Sequence, residues 1–213
     1  MIPTHHLVIF LKAARLGQVK SRLAVDIGPL AALRFYRETS TRLVRRLGRD
    51  RRWRLWLAVT PRSALGARPW ARLPRLDQGQ GDLGQRMGRM FHVLPPGPVV
   101  IIGSDIPAIA PGHVASAFDG LGGSDAVFGP AADGGYWLVG LRRSPRVPAG
   151  LFEGVRWSSP HALADTRASL PRGFRIALLE TLEDIDEGRA YARFRARVSR
   201  RSRASADAPG GAA

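Results

Sequence analysis

The stretch that most constrains the fold is residues 99–107, Val-Val-Ile-Ile-Gly-Ser-Asp-Ile-Pro. Four consecutive apolar residues, mostly β-branched, are typical of a strand that is buried on both faces, as in the centre of a parallel sheet. Pro107 cannot continue the ladder of hydrogen bonds, so the strand ends before it. The pattern therefore places Asp105 just beyond the carboxyl end of a buried strand, where open α/β sheets bind their ligands.

Two explanations of Asp105 follow from this position. A carboxylate that is removed from water needs a cation, a metal ion or hydrogen-bond donors. In the first explanation Asp105 therefore binds a ligand or a metal ion. In the second it caps a short helix at 108–110 or faces water. The spacing alone leaves both open.

Apolar runs and capping signals divide the rest of the chain into strands and helices. Further strands are predicted at residues 7–11, 53–59, 126–129, 136–141 and 174–179. Helices are predicted at 29–48, from Asp82 to about Leu94, and at 111–121, 158–170 and 187–198. The connection at 61–75 carries no clear signal.

The length and composition favour one domain. The chain has 213 residues, is 45% hydrophobic and contains no cysteine, which excludes disulfides, a thiolate nucleophile and cysteine-bound zinc. We expect a single domain at 1–198 and a disordered tail at 199–213, rich in arginine, alanine and glycine. No apolar run approaches the ~18 residues of a membrane span, and 7–11 is too short for a signal-peptide core, so we expect a cytoplasmic protein.

The net charge of +16 raises the alternative of nucleic-acid binding. Seven arginines and no acid fall within 189–203, and all but two of the 33 basic residues are arginine. General arginine and alanine richness favours solvated surface charge over a polynucleotide groove. The aromatic residues that could stack on bases in this stretch are few, so we treat nucleic acid as the less favoured partner.

The loop after the first strand is the first candidate binding site. Residues 12–22 carry the cations Lys12, Arg15, Lys20 and Arg22, together with Gly17. Glycine permits close backbone approach, and the cations suit phosphate oxygens. The loop lacks the glycines of a P-loop or a dinucleotide fingerprint, so phosphate binding competes with an ordinary basic surface loop.

Residues 79–84, Gly-Gln-Gly-Asp-Leu-Gly, match the GxGxxG pattern of dinucleotide-binding proteins. The preceding residues are polar and do not predict a strand, so the match is better explained as the start of a helix. Asp82 would cap that helix, with Gln85 completing a capping box. Because helix N-termini also bind anions, we include Asp82 among the candidate nucleotide-binding residues.

Two later stretches are also candidate sites. Asp133-Gly134-Gly135, before Tyr136, gives strong hairpin signals, and the alternative is that the glycines expose amides to a ligand. Asp184 and Asp186 share one side if their segment is extended, and two such carboxylates repel unless a cation lies between them. They therefore predict a metal-ligand cluster, with Asp186 as a helix cap the alternative.

These motifs, in the order VIFLKAARLGQVKSRL, QGDLGQRM, VVIIGSDIP, GPAADGGYWLVGL and DID, resemble a bacterial family of uncharacterised glycosyltransferase-A-like proteins, the nucleotide-diphospho-sugar transferases. The resemblance covers about residues 6–195 and extends more distantly to the 2-phospholactate and molybdenum-cofactor guanylyltransferases. It implies an α/β fold, a Rossmann-like three-layer α/β/α sandwich with a mostly parallel sheet. It also implies a nucleotide in the amino-terminal half and Mg²⁺ or Mn²⁺ near the end of the central strand.

The resemblance also implies residue roles for the nucleotide and the metal. Gly17, Lys20 and Arg22 match the phosphate-loop motif GxVKTRL, with serine here in place of threonine, and Lys12 matches the lysine that ends the first strand. Asp105 matches the aspartate of GSDxP, which related nucleotidyltransferases use for the metal.

For the second substrate, the resemblance points to the carboxyl-terminal half. Asp184 and Asp186 match a late acidic pair that completes the metal and acceptor site. Asp133, Gly134, Gly135 and Tyr136 match a DGGY stretch, which we assign to the acceptor. The family often has prolines where Ala13 and Ala14 stand here.

The sequence therefore predicts a divalent-metal-dependent transferase that uses a nucleotide-activated substrate. The favoured reaction is nucleotidyl transfer from a nucleoside triphosphate to a phosphorylated or hydroxyl acceptor, with pyrophosphate release and with Lys20 and Asp105 as catalytic residues. Glycosyl transfer from a nucleotide sugar is the alternative. Either reaction proceeds by positioning and electrostatics, which fits a sequence that offers no obvious nucleophile.

Overall fold

The computed structural model describes residues 5–66, 72–144 and 146–206. The strands are β1 (His6–Lys12), β2 (Arg54–Thr60), β3 (Arg75–Asp77), β4 (Val99–Ile102), β5 (Ala126–Pro130), β6 (Tyr136–Leu141) and β7 (Ile176–Leu178). The α-helices are α1 (Ser21–Ile27), α2 (Pro29–Gly48), α3 (Leu83–Val93), α4 (Pro111–Gly123), α5 (Ala162–Ala168) and α6 (Gly188–Ala206).

All seven strands form one sheet, in the order β3-β2-β1-β4-β6-β5-β7. Neighbouring strands are parallel except where β6 pairs antiparallel with β4 and with β5. The chain builds outward from β1 through β2 to β3, and then crosses to β4 on the other side of β1. The switch point of the sheet therefore lies between β1 and β4, and a crevice opens there at the carboxyl ends of the strands.

Helices cover both faces of the sheet. On one face Leu7, Ile9 and Leu11 of β1 share a buried cluster with residues of α2 and α4. On the other face Val8 of β1 shares a cluster with residues of α3. Because side chains alternate along a strand, β1 contributes side chains to both clusters, and its central residues are all apolar. The α/β/α sandwich with a mostly parallel sheet is therefore confirmed.

The glycines of the GxGxxG stretch serve packing and capping. Asp82 and Gln85 form the expected capping box at the start of α3. Gly81 has φ +103°, in the left-handed region that favours glycine. A Cβ on Gly84 would lie 2.6 Å from the Cβ of Phe152, so a side chain here would push away the segment that follows β6. The pattern is therefore a helix start and not a dinucleotide fingerprint.

The predicted and observed boundaries differ most in the carboxyl-terminal half. The helix predicted at 158–170 is shorter, because Ser158 has φ 56° and helical backbone begins only at α5. The last helix runs to Ala206, so the first eight residues of the predicted tail at 199–213 are helical. Residues 207–213 lie outside the described residues. Within the described ranges, no helix combines the length and the apolar character needed to cross a membrane.

Candidate active site

A cleft of about 370 Å³ opens at the carboxyl ends of β1 and β4. Its lining includes four cations and two carboxylates, namely Lys12, Lys20, Arg22, Arg86, Asp105 and Asp186. The cations come from the end of β1, from the loop that follows it, and from α1 and α3. The carboxylates come from the loop after β4 and from the segment before α6. The fold thus brings the predicted phosphate loop and two of the predicted metal ligands into one cavity.

Lys20 is at the centre of this cleft. Its Nζ lies 3.0 Å from Oδ1 of Asp105 and 2.6 Å from Oδ1 of Asp186. The Lys20 side chain is only 3% exposed, whereas those of Asp105 and Asp186 are 50% and 38% exposed. Burial alone would lower the pKa of Lys20, but the two carboxylates outweigh it and the pKa is raised. The site therefore holds a buried cation between carboxylates from distant parts of the chain.

The backbone at Lys20 is in the left-handed conformation, with φ 50° and ψ 46°. For a residue with a Cβ this conformation costs about 1–2 kcal/mol, so the surroundings must hold it in place. Val19 is buried against Leu33 and Tyr36 of α2 and anchors the loop. The hydroxyl of Tyr36 donates to the carbonyl oxygen of Lys12 and accepts from its amide, both at 2.9 Å. Packing against α2 therefore fixes both ends of the loop.

Asp184 and Asp186 flank Ile185, which is 5% exposed. Ile185 packs in a cluster with Leu23 and Phe35, so this segment is anchored by one inward side chain. Burial, and then the charge of Asp186, raises the pKa of Asp184 to about 6. The two carboxylates are therefore close enough to affect each other, as predicted for an extended acidic pair.

Whether this site can hold a metal ion depends on the donor atoms that line it. Among the residues that the structure describes, no group of three or more histidine, aspartate or glutamate side chains forms a ready-made metal site. Magnesium is usually held by one or two carboxylates together with waters and substrate phosphates. Asp105 and Asp186 already converge on one cation, and their oxygens are the ligands that Mg²⁺ and Mn²⁺ prefer. The donor atoms of these two residues therefore fit a divalent ion.

A second pocket, of about 230 Å³, shares Asp105 with the cleft. Its lining includes the carboxylates and aromatic side chains Asp105, Asp133, Asp184, Tyr136, Trp137 and Trp157. Gly135 also lines it, whereas the predicted acceptor residue Gly134 does not. Gly134 instead packs against the backbone of Pro160. The oxygen Oδ1 of Asp133 accepts from the amide of Gly135 at 2.9 Å, so the predicted turn chemistry is present as well.

Two predicted nucleotide-binding residues do not line the cleft. Asp82 is exposed and accepts a hydrogen bond from the amide of Gln85 at 2.8 Å, which is a capping role. Gly17 has φ +71° and open space where a Cβ would stand. Its contribution is to the backbone path of the turn before Lys20. The structure thus shows a helix cap for Asp82 and a turn position for Gly17, and their part in nucleotide binding stays a prediction.

The residues of the cleft that were not predicted include Tyr36, Gln78 and Arg86. Tyr36 looks like one more apolar position of α2, and Arg86 is one of many arginines. Gln78 is 3% exposed, and its Nε2 donates to the carbonyl oxygens of Leu11 at 3.1 Å and Ala58 at 2.9 Å. It therefore ties the ends of β1 and β2 together. The only sequence signal for Gln78 is a polar residue directly after a short strand.

Replacing Gly134 by alanine is expected to lower the free energy of unfolding by more than about 2 kcal/mol. The residue has φ +85°, and a Cβ would lie 2.2 Å from the backbone oxygen of Pro160, which cannot rotate away as a side chain could. Urea denaturation measures the change. The matched control is Gly122→Ala in α4, where no atom lies within 4 Å of the added Cβ. That variant should be as stable as the wild type or more stable, and equal losses in both would contradict the prediction.

Residues 43–159, more than half of the chain, match the family "Uncharacterized protein conserved in bacteria (DUF2064)". A Desulfovibrio desulfuricans G20 protein, named as a proposed nucleotide-diphospho-sugar transferase, is 27% identical with a TM-score of 0.74, over 86% of this chain and 82% of that one. No curated protein matches the sequence.

Two more distant structures share the fold. The CMP:2-keto-3-deoxy-manno-octonic acid synthetase in complex with CTP is 12% identical with a TM-score of 0.59, over 93% of this chain and 99% of that one. The glucosyl-3-phosphoglycerate synthase of Mycobacterium tuberculosis in complex with Mn²⁺ and UDP is 12% identical with a TM-score of 0.51, over 86% and 71%. At this identity the likeness is one of fold alone.

Proposed function

The chain belongs to the bacterial family DUF2064, and we propose that it is a divalent-metal-dependent transferase acting on a nucleotide-activated substrate. The observation that carries the proposal is the buried ammonium of Lys20, held by Asp105 and Asp186 at the switch point of the sheet. The likeness to a nucleotide-diphospho-sugar transferase at 27% identity supports the same class of substrate. The cations of the cleft supply the charge that phosphate oxygens require.

In the favoured form the reaction is nucleotidyl transfer. The triphosphate lies over the loop that ends at Arg22, with Lys12, Lys20 and Arg22 binding its oxygens. An oxygen of the acceptor attacks the α-phosphorus, the bond to the β-phosphate oxygen breaks, and pyrophosphate leaves with that electron pair. A divalent ion held by Asp105 and Asp186, with Asp184 beside them, would neutralise phosphate charge. Positioning and charge neutralisation then lower the barrier without a protein nucleophile.

Glycosyl transfer from a nucleotide-diphospho-sugar is the second candidate. The likeness to the Desulfovibrio desulfuricans protein favours it. The cleft favours nucleotidyl transfer, because four cations match the charge of a triphosphate better than that of a diphosphate sugar. The products separate the two reactions. Nucleotidyl transfer releases pyrophosphate from a triphosphate, whereas glycosyl transfer releases a nucleoside diphosphate from a nucleotide sugar.

We expect a nucleoside triphosphate with magnesium to raise the melting temperature of the protein. A ligand that binds only the folded state at 100 times its dissociation constant adds about 2.7 kcal/mol of stability. Differential scanning fluorimetry with triphosphates, diphosphates and nucleotide sugars, each with and without magnesium, measures the shift. The Arg22→Ala variant should show a smaller shift for the same ligand. If no nucleotide or nucleotide sugar shifts the wild type, the proposed function is wrong.

A further inference from the structure

The second pocket differs from the cleft in charge. Three carboxylates line it, those of Asp105, Asp133 and Asp184. Within the described ranges, no lysine, arginine or histidine lines it. This is notable in a chain with 33 basic and 17 acidic residues. Lysine and arginine side chains line the neighbouring cleft instead. The two cavities share Asp105 but differ in the charge of their linings.

A phosphorylated compound would be a poor ligand for such a pocket. A phosphate group carries up to two negative charges, and like charges brought together at an interface repel each other. The described lining supplies no cationic side chain to replace the water of a phosphate group, so only a divalent ion held near Asp105 would offset its charge. The cleft, where we propose that the phosphates of the nucleotide bind, is the opposite environment, because Lys12, Lys20 and Arg22 line it.

The remaining walls suit the face of a sugar or polyol. Tyr136 and Trp157 are half-buried and give flat aromatic surfaces, and Ser158 and Ser159 add hydroxyl groups. Ionised carboxylates accept hydrogen bonds and cannot donate them, so they pair with the hydroxyl protons of a ligand. Pockets that combine apolar walls with a few polar groups of one kind are typical small-molecule sites.

We propose that the second substrate of this transferase is an uncharged polyhydroxyl compound, a sugar or polyol, which presents a hydroxyl group from the second pocket toward Asp105. The proposal rests on the function proposed above and narrows it, because it selects the hydroxyl acceptor over the phosphorylated one. A bond then forms between the acceptor oxygen and the transferred group, while the bond from that group to pyrophosphate (or, in glycosyl transfer, to the nucleoside diphosphate) breaks and the leaving group takes its electron pair. The hydroxyl proton passes to solvent or to a carboxylate of the pocket.

Tryptophan fluorescence provides a direct test, since Trp137 and Trp157 line the pocket. The full chain is titrated with glucose, glycerol and myo-inositol, and with the monophosphate of each. Titrations are run with magnesium and a non-hydrolysable nucleoside triphosphate analogue, so that the cleft is already occupied when the probe is added. We expect at least one neutral member to quench the fluorescence with an affinity at least tenfold above that of its phosphate. The Trp157→Phe variant should lose most of that signal.

Three results would overturn the inference. A phosphorylated member that binds as tightly as its neutral parent would do so, and so would the absence of quenching by every neutral member. The third result would be binding of glucosamine at least tenfold tighter than glucose, because the pocket would then select a cationic ligand.

A pair of variants locates the effect in the pocket. Asp133→Asn keeps a side-chain oxygen for the amide of Gly135 and removes one negative charge, so the preference for the neutral sugar should fall at least threefold. Asp119→Asn removes a charge from the exposed face of α4 and should leave the preference unchanged. If the sugar binds but no nucleotide stabilises the protein, the transferase proposal fails by itself. If a phosphorylated acceptor supports nucleotidyl transfer with pyrophosphate release, only this inference fails.

Discussion

Replacing Asp105 by asparagine is expected to lower kcat by at least about 100-fold, the usual cost of removing one electrostatic contact to a transition state. Asparagine keeps the size and shape of the side chain but cannot carry the negative charge that holds a cation. Oδ1 of Asp105 lies 3.0 Å from Nζ of Lys20 and the residue lines both cavities, so its charge is where we propose that phosphate and acceptor meet. The rate of pyrophosphate or nucleoside diphosphate release measures the loss.

The control for this variant is Asp119→Asn, which removes an exposed carboxylate from α4 and should leave kcat unchanged. Thermal denaturation of both variants separates a loss of chemistry from a loss of fold. Asp105 is half exposed, so the neutral variant should remain folded. A folded Asp105→Asn variant that loses less than about 100-fold in kcat would rule out the proposed metal role of Asp105.

The central elements of the fold were predictable because burial dictates their sequence. The four apolar residues of β4 are all buried, and α2 shows its apolar spacing over the 20 residues predicted. By contrast, α1 has only seven residues and no side-chain cap, and its Val25 is 86% exposed. The strand β3 has three half-buried residues at the edge of the sheet. Such short elements are set by tertiary contacts, which a local pattern does not contain.

The same reasoning explains what could be predicted of the site. Residues at strand ends were identified from position, and the family resemblance grouped Lys20 with Asp105 and Asp186. Their actual meeting could not be read from the sequence, since 166 positions separate Lys20 from Asp186. Tyr36 and Gln78 were missed because their roles are hydrogen bonds to backbone atoms of other elements, which have no sequence pattern.

The ammonium of Lys20 raises a question about how metal and nucleotide enter. In this structure it occupies the space between two carboxylates where we place a divalent ion. At 4 Å and an effective dielectric constant of 20, one pair of unit charges interacts by about 4 kcal/mol. An incoming ion must therefore displace a well-held cation, and the released ammonium becomes free to bind phosphate. Metal and nucleotide would then bind cooperatively.

Replacing Lys20 by methionine tests this exchange, since methionine fills similar space without charge. In the absence of nucleotide we expect Mn²⁺ to bind the variant at least tenfold tighter than the wild type, a gain of about 1.4 kcal/mol. The reason is that no ammonium competes for Asp105 and Asp186. At the same time kcat/KM should fall at least about 100-fold, because a cation that contacts the phosphates is lost. Titration of Mn²⁺ followed by electron paramagnetic resonance measures the first effect.

The matched control is Lys12→Met, which removes a cation from the same cleft but not from between the carboxylates. Its Mn²⁺ affinity without nucleotide should stay close to that of the wild type. A structural defect in the Lys20 variant would weaken both metal binding and turnover, whereas the exchange predicts opposite changes in the two. Mn²⁺ affinity that is equal or lower in Lys20→Met would show that the ammonium does not occupy the metal position. The ion pairs of Lys20 with Asp105 and Asp186 would then have a structural role, and the two carboxylates would not form a metal site.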